Sequence, residues 1–374
     1  MTAPELGFAL GLYGRLAGAD RDTGFVWSPY SVASALGLAA AGARDATRAE
    51  ILAALGDVDR PAEPGALAAA LADGARLEPG EEGVLAGARI AVANTLWADR
   101  ALPVAEEYSA EVRDWPGGAA RTVDFAGDPD GARQAVNADV ERTTNGLIRG
   151  LLPAGEVDRY TRAVLVNALW LRAAWIQPFP AVATRPMPFH APGGDVEVPM
   201  MRVERRMRYA QRHGWRLVTV PAGGGVVADV LLPDAELAVA EPLLDAATLA
   251  DLVGAGSPVT VALQLPRFRV EAQAALAEPL AGLGVRRLFT DQCDLSGVTG
   301  GAEPLKVSAA AHKAVLTVDE SGLEGAAATA LMMVRTTAMV PERRVQMRVD
   351  RPFLLLVRHQ PSGALYFLAR VTSP

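Results

Sequence analysis

Cysteine, histidine and lysine are scarce in this chain, and the first two scarcities remove a class of function. Cys293 is the only cysteine, so no internal disulfide can form, and with four histidines a zinc site is poorly supplied. No metal and no cofactor are expected. Lysine occurs only at Lys306 and Lys313, so nearly all of the 36 basic residues are arginine. With abundant alanine and glycine, that reflects the codon supply of a G+C-rich bacterial genome rather than a function. The 43 acidic residues leave a net charge of −7, which offers no hint of a phosphate-binding surface, so nucleic acid is not an expected partner. The longest apolar runs, VLVNALWL and FLLLV, fall short of the roughly 18 residues of a membrane span, so no membrane association is expected. GxSxG, P-loop, HExxH and CxxC motifs are absent, as is GxGxxG after a strand. The histidines His190, His213, His312 and His359 are far apart with no ligand spacing. Nothing supports a catalytic centre, and the chain is not expected to be an enzyme.

What is present is an ordinary globular composition, 50% hydrophobic and 21% charged, which excludes a disordered chain. No proline-rich linker divides the 374 residues, so one domain over 1–374 is expected. The N-terminus, MTAPELGFALGLYGRLAG, has no basic leader and reads as an amphipathic helix with Phe8, Leu10, Leu12 and Leu16 on one face. A cytoplasmic protein is expected, with secretion left open. Ser28-Pro29 signals a helix start, because serine caps free N–H groups and proline suits the first helical position. A second helix follows at 45–56, and residues 60–85 read as a short helix and a surface loop. ARIAVANTLWA reads as a strand or a helix–strand junction, 129–152 as a helix ending at Asn145-Gly146, and 163–171 as a buried strand. After residue 185 strands dominate, among them VTVALQLPRFRV, and one helix is expected to interrupt them at 272–284. Gly223-Gly224-Gly225 reads as a hairpin turn. Helices first and strands later argue for an α+β fold with antiparallel or mixed sheets.

The unusual stretch is 315–345, VLTVDESGLEGAAATALMMVRTTAMVPERRV. It begins as a strand, passes an acidic turn and enters a run of small residues. An alanine-rich helix is one reading, but Gly322 and Gly325 each oppose it by about 1 kcal/mol relative to alanine. The other reading is a strand in waiting. Alternation puts Leu323, Gly325, Ala327, Thr329 and Leu331 on one side and Glu324, Ala326, Ala328, Ala330 and Met332 on the other. Small side chains would let such a segment enter an existing sheet, where main-chain hydrogen bonds drive strand addition.

HKAVLTVDESGLEGAAATA (312–330) is similar to the strand and hinge that lead into the reactive-centre loop of the serpin family. RPFLLLVRHQPSGALYFLARVTSP (351–374) resembles that family's C-terminal strand pair. The segments 25–51, 164–179, 189–201 and 265–276 resemble serpin blocks in the family's order, so the resemblance spans almost the whole chain. It implies an α+β serpin fold with three β-sheets, eight or nine helices and an exposed reactive-centre loop at about 320–345. It also implies a metastable, suicide-type inhibitor that forms a covalent acyl complex with a serine protease. A monomer is expected. The alternative is a non-inhibitory serpin, a protease substrate with a binding or chaperone-like role.

The resemblance assigns residues as well. Ser28, Ser31, Asn167 and His312 match the shutter, where the main sheet must open. Trp175 and Glu320 match the breach, where insertion begins; ordinary core packing and a solvated turn charge are their plainer roles. The hinge comprises Gly322, Leu323, Glu324, Gly325, Ala326, Ala327, Ala328 and Thr329. It departs from the inhibitory pattern at Leu323, where threonine or another small residue is usual, and that bulk would slow insertion. Counting from Gly322 places the reactive bond at Thr336–Thr337; a hinge one residue shorter places it at Arg335–Thr336. Residues 74–90 hold only two arginines, so no polyanion cofactor is expected. Cys293 is expected to be a buried, inert thiol.

Overall fold

The structure, a computed structural model, describes residues 3–18, 20–56, 69, 72–76, 88–323 and 344–374, without the side chains of Ala3 and Asp114. Fifteen strands occur among them. The first eight are β1 (Phe25–Trp27), β2 (Arg89–Asp99), β3 (Gly118–Val123), β4 (Ala163–Ala174), β5 (Arg185–Ala191), β6 (Gly194–Arg212), β7 (Trp215–Pro221) and β8 (Val226–Pro233). They are followed by β9 (Ser257–Pro266), β10 (Phe268–Ala275), β11 (Ala309–Val318), β12 (Gly322–Leu323), β13 (Arg344–Arg348), β14 (Phe353–His359) and β15 (Leu365–Val371).

One sheet has the order β10-β11-β12-β4-β2-β3, and β11 also pairs directly with β4. The other strands form a continuous ladder through the 19-residue β6, whose two ends serve different sheets. One end joins β5, β9 and β13, and the other leads through β7, β8 and β14 to β15 and β1. With the six-stranded sheet this makes three, and the fold is a mixed α+β architecture.

The six-stranded sheet is covered on both faces, which is why β4 is mostly apolar and buried along its length except at Arg172. Leu165, Leu169, Leu171 and Ala173 enter the large core, whereas Val164, Val166 and Ala168 pack under the helix Pro129–Thr143. The helix Pro29–Gly42 lies against the large-core face. Ser28 caps it, its side chain accepting from the Ser31 N–H at 3.1 Å. Its middle is made of small residues because neighbours approach closely: a Cβ on Gly37 would collide with the Trp115 ring. As the sequence suggests, the helix Pro129–Thr143 ends at two left-handed residues, Asn145 (φ 53°) and Gly146 (φ 81°).

Three sequence expectations need correction. VTVALQLPRFRV is two strands in different sheets, β9 and β10, which divide at Pro266-Arg267. The helix expected at 272–284 covers only Ala277–Gly282, because residues 272–275 belong to β10 and pair with β11 as far as Ala275 opposite Ala311. A second helix in the strand-rich half, Ala246–Gly254, was not anticipated; Asp245 caps it through the Thr248 N–H at 2.7 Å.

A buried ion pair ties the chain ends together. Arg370 on β15 donates to the Glu241 carboxylate at 3.1 Å and to the carbonyls of Ala17, Asp20 and Thr23 at 3.0, 2.8 and 3.0 Å. Both side chains are almost wholly buried, and Tyr13 and Arg21 also bond Glu241. Arg370→Met leaves a buried carboxylate short of its main counter-charge, so urea denaturation should show a loss of about 3–5 kcal/mol. Arg100→Met, which breaks an exposed pair with Asp124, should lose less than about 1 kcal/mol.

Candidate functional site

Strands β4 and β11 run parallel, and their pairing is incomplete. It joins Val164–Ala168 to Ala309–Lys313 and stops there. Beyond it, Leu169–Arg172 and Ala314–Thr317 have no ladder partner on their facing edges among the described residues. At the top the short strand β12 fills the seam, antiparallel to both neighbours. Leu323 lies opposite Val318 on one side and Ala173 on the other, and Gly322 lies opposite Ala174. Leu323 is fully buried in the large core, so its bulk is already accommodated between the strands. Gly322 must be glycine here, because an added Cβ would collide with the Ala173 carbonyl.

The closed half of the seam is held by a polar network. His312 and Asn167 are register partners, with the His312 Nδ1 2.8 Å from the Asn167 Oδ1. The Ser28 N–H donates to the His312 Nε2 at 3.0 Å. That nitrogen is therefore the acceptor, and the proton sits on Nδ1, where it is donated to Asn167. The Asn167 amide donates both of its hydrogens, one to the Asn94 Oδ1 at 2.6 Å and one to the Ser31 carbonyl. Asn94, in turn, donates to the Pro116 carbonyl at 3.0 Å. Side chains from β2, β4 and β11 and the backbone of the helix start thus form one buried chain of donors and acceptors. Trp27 stands edge-on to His312, with ring centroids 6.5 Å apart. Burial alone drives the His312 pKa down from 6.5 to about 3, so the ring is neutral and can accept from Ser28.

The open end is pinned by the turn that connects β11 to β12. The Asp319 side chain accepts from the N–H groups of Ser321 and Gly322 at 2.8 and 3.1 Å, which folds the chain back on itself. All three outward carbonyls of this turn are used. The Trp175 Nε1 donates to Asp319 at 2.8 Å, and the Trp175 and Phe179 N–H groups donate to Ser321 and Glu320 at 2.9 Å each. The Glu320 carboxylate takes a two-pronged bond from Arg267, with contacts of 2.7 and 3.1 Å, and another from the Thr184 hydroxyl at 2.7 Å. Partial burial opposes its charge, but these bonds outweigh that and hold its pKa below the ordinary range.

The residues singled out in the sequence therefore fall into two clusters. Ser28, Ser31, Asn167 and His312 meet at the closed half; Trp175, Glu320, Gly322 and Leu323 meet at the top. Glu324, Gly325, Ala326, Ala327, Ala328 and Thr329 lie outside the described residues, as do Arg335, Thr336 and Thr337. The sequence reading missed Asn94, Asp319, Arg267 and Thr184. An asparagine inside the apolar ARIAVANTLWA was a signal of the same kind as Asn167, and DESG is an Asx-turn pattern. Arg267 and Thr184 left no such mark, because only the fold brings them to Glu320.

This arrangement is mechanical rather than chemical. Among the described residues, no three His, Cys, Asp or Glu side chains gather as a metal site would require. Burial first, and Asp294 second, push the Cys293 thiol up to about 12, which keeps it protonated and unreactive.

The family model described as Serpin (serine protease inhibitor) matches residues 5–374, and the chain belongs to this family. It is 31% identical to the leukocyte elastase inhibitor of Bos taurus over 393 residues, covering 100% of this chain and 99% of the relative. It is 30% identical to plasminogen activator inhibitor 1 of Sus scrofa over 378 residues, covering 98% and 91%. Its fold is similar to that of uncleaved ovalbumin, with a TM-score of 0.84 at 25% identity, covering 100% of this chain and 99% of that one.

His312 makes stability pH-dependent. Its folded pKa lies below its unfolded value, so the unfolded chain binds the extra proton. The contribution is complete above about pH 6.5 and is lost as pH falls from there toward 3. Between pH 7 and pH 4 this is on the order of 3 kcal/mol. Urea titrations at the two pH values should show that much less acid sensitivity in His312→Gln than in the unaltered protein.

Proposed function

We propose that this serpin is a suicide-type inhibitor of a serine protease. The observation that carries the reading is the half-closed seam between β4 and β11, with Gly322 and Leu323 already lodged in its open end. The protease serine attacks the carbonyl carbon of Thr336, or of Arg335 in the alternative register. The peptide bond breaks, the new amine leaves with a proton from the protease's histidine, and the loop remains joined to the enzyme as an ester. Deacylation needs an intact oxyanion hole, and loss of one donor there already costs about 10²–10³ in rate. A loop that enters the seam and drags the enzyme with it would distort that hole before water completes the reaction.

The register supports the path. Carried on from Leu323, the next residue, Glu324, would lie between Thr317 and Arg172, and Arg172 is the one exposed residue of β4. Gly325, Ala327 and Thr329 would share the buried face of Leu323. Thr329 would arrive between His312 and Asn167, its hydroxyl able to bond to both after their direct hydrogen bond is broken. Five register pairs of β4 with β11 would be exchanged for two ladders to the entering strand. At about 0.5–1.5 kcal/mol per net hydrogen bond, the gain is several kcal/mol.

The second reading, a non-inhibitory serpin whose loop is merely cut, drew on the bulk of Leu323. The burial of that residue at the first rung favours the inhibitory reading, because its bulk already lies between the strands.

Incubation with trypsin-like, elastase-like and subtilisin-like enzymes should give, with at least one, a complex that survives a denaturing gel. Clean cleavage without a complex in every case overturns the inhibitory reading in favour of the second. Thr329→Arg would drive a charge between His312 and Asn167. It should convert the protein from inhibitor to substrate and raise the molar excess needed for inhibition several-fold, with little effect on the stability of the uncut chain.

A further inference from the structure

We propose that the outer face of the β6-β9-β13 sheet is a cationic docking surface for an acidic patch on the attacking protease. The proposal deepens the inhibitory reading and rests on it for the identity of the partner.

The register assembles the surface from distant segments. Across the three strands, Arg202 lies in line with Gln264 and Arg348, Glu204 with Ala262 and Gln346, and Arg206 with Thr260 and Arg344; Arg208 follows opposite Pro258. Register partners share a face, and burial confirms which one. Arg202, Glu204, Arg206 and Arg208 are exposed, whereas the intervening Val203, Arg205 and Met207 are partly or wholly buried. Arg344, Gln346 and Arg348 are exposed likewise. Strand spacing puts Arg206 and Arg344 about 10 Å apart, and Arg202 to Arg208 spans about 20 Å.

The charge is one-sided. Among the described residues five arginines, of which Arg206 is already engaged, face outward against Glu204, which pairs with Arg344 at 2.7 Å, and Asp350, which pairs with Arg348 at 3.0 Å. Arg202 and Arg208 have no carboxylate partner among the described residues. This concentration stands out on a protein whose net charge is −7.

Its position selects the occupant. Arg344 opens β13 only seven residues after Thr337, so the face lies within about 25 Å of chain from the bond the protease attacks. That reach is shorter than the span of a protease domain, so an enzyme that holds the bond can also touch this sheet. Charges at the rim of such an encounter mainly set the association rate and its salt dependence, and they discriminate between partners of opposite charge.

Two trypsins of the same specificity, one anionic and one cationic, each inactivated at its catalytic serine, separate docking from trapping because neither forms an ester. At 10 mM salt the anionic form should bind the intact protein at least ten-fold more tightly than the cationic form. The preference should vanish in Arg202→Glu/Arg208→Glu and at 0.5 M salt, while the variant's melting temperature stays unchanged. Equal affinity for the two trypsins overturns the proposal and leaves the trapping mechanism standing. Failure to form a gel-stable complex with active enzymes, alongside a clear anionic preference, overturns trapping and leaves the surface. Retention of the unaltered protein on heparin-agarose at 0.15 M salt with no anionic-trypsin preference assigns the face to a polyanion and also overturns the proposal.

Discussion

The structure depends on a sheet whose two central strands are joined over only half their length. Pairing of β4 with β11 covers Val164–Ala168 and Ala309–Lys313, while the flanking ladders, β4 with β2 and β11 with β10, run much further. A parallel pair in the middle of a sheet would ordinarily continue. Here it is sealed at one end by Asn167 and His312 and held apart at the other by Leu323. Among the described residues the main-chain groups along the open half have no ladder partner, and in the proposed mechanism that pairing capacity is what the cut loop claims.

The two clusters at the ends of the seam are built differently, and the difference suits their tasks. The lower one consists of neutral hydrogen bonds in a dry environment, where a satisfied network is rigid and an unsatisfied one is costly. In the proposed mechanism its bonds are exchanged one for one with an entering hydroxyl and backbone. The upper one uses a charged pair, Glu320 with Arg267, and three main-chain carbonyls taken by the segment at Trp175 and Phe179. That cluster fixes where the chain leaves β11 and the angle at which Gly322 enters. Elsewhere, Arg370 and Glu241 bind the N-terminal helix to β15.

Much of this was legible in the sequence, for definite reasons. Ser28-Pro29 announced a cap because the local chemistry of a helix start suffices. Asn167 announced a buried network because an amide within an apolar strand needs partners. What stayed hidden depends on long-range register. VTVALQLPRFRV could not show that its halves join different sheets, since each half alternates correctly by itself. The arginine face required strands separated by more than 130 residues to be laid side by side; the even spacing of Arg202, Arg206 and Arg208 meant little until β13 supplied Arg344 and Arg348. Leu323 looked like an obstacle because inhibitory serpins usually carry a smaller residue there, but the pocket it fills belongs to β4 and β11.

The central claim is that the uncut protein sits above its free-energy minimum and that a loop end, once released, closes the seam. Its most direct test is the melting temperature before and after a single nick within residues 330–340. Closure of the seam predicts a rise on the order of 10 °C or more after the nick. A nicked chain that melts at the same temperature as the intact one, or lower, would contradict the account.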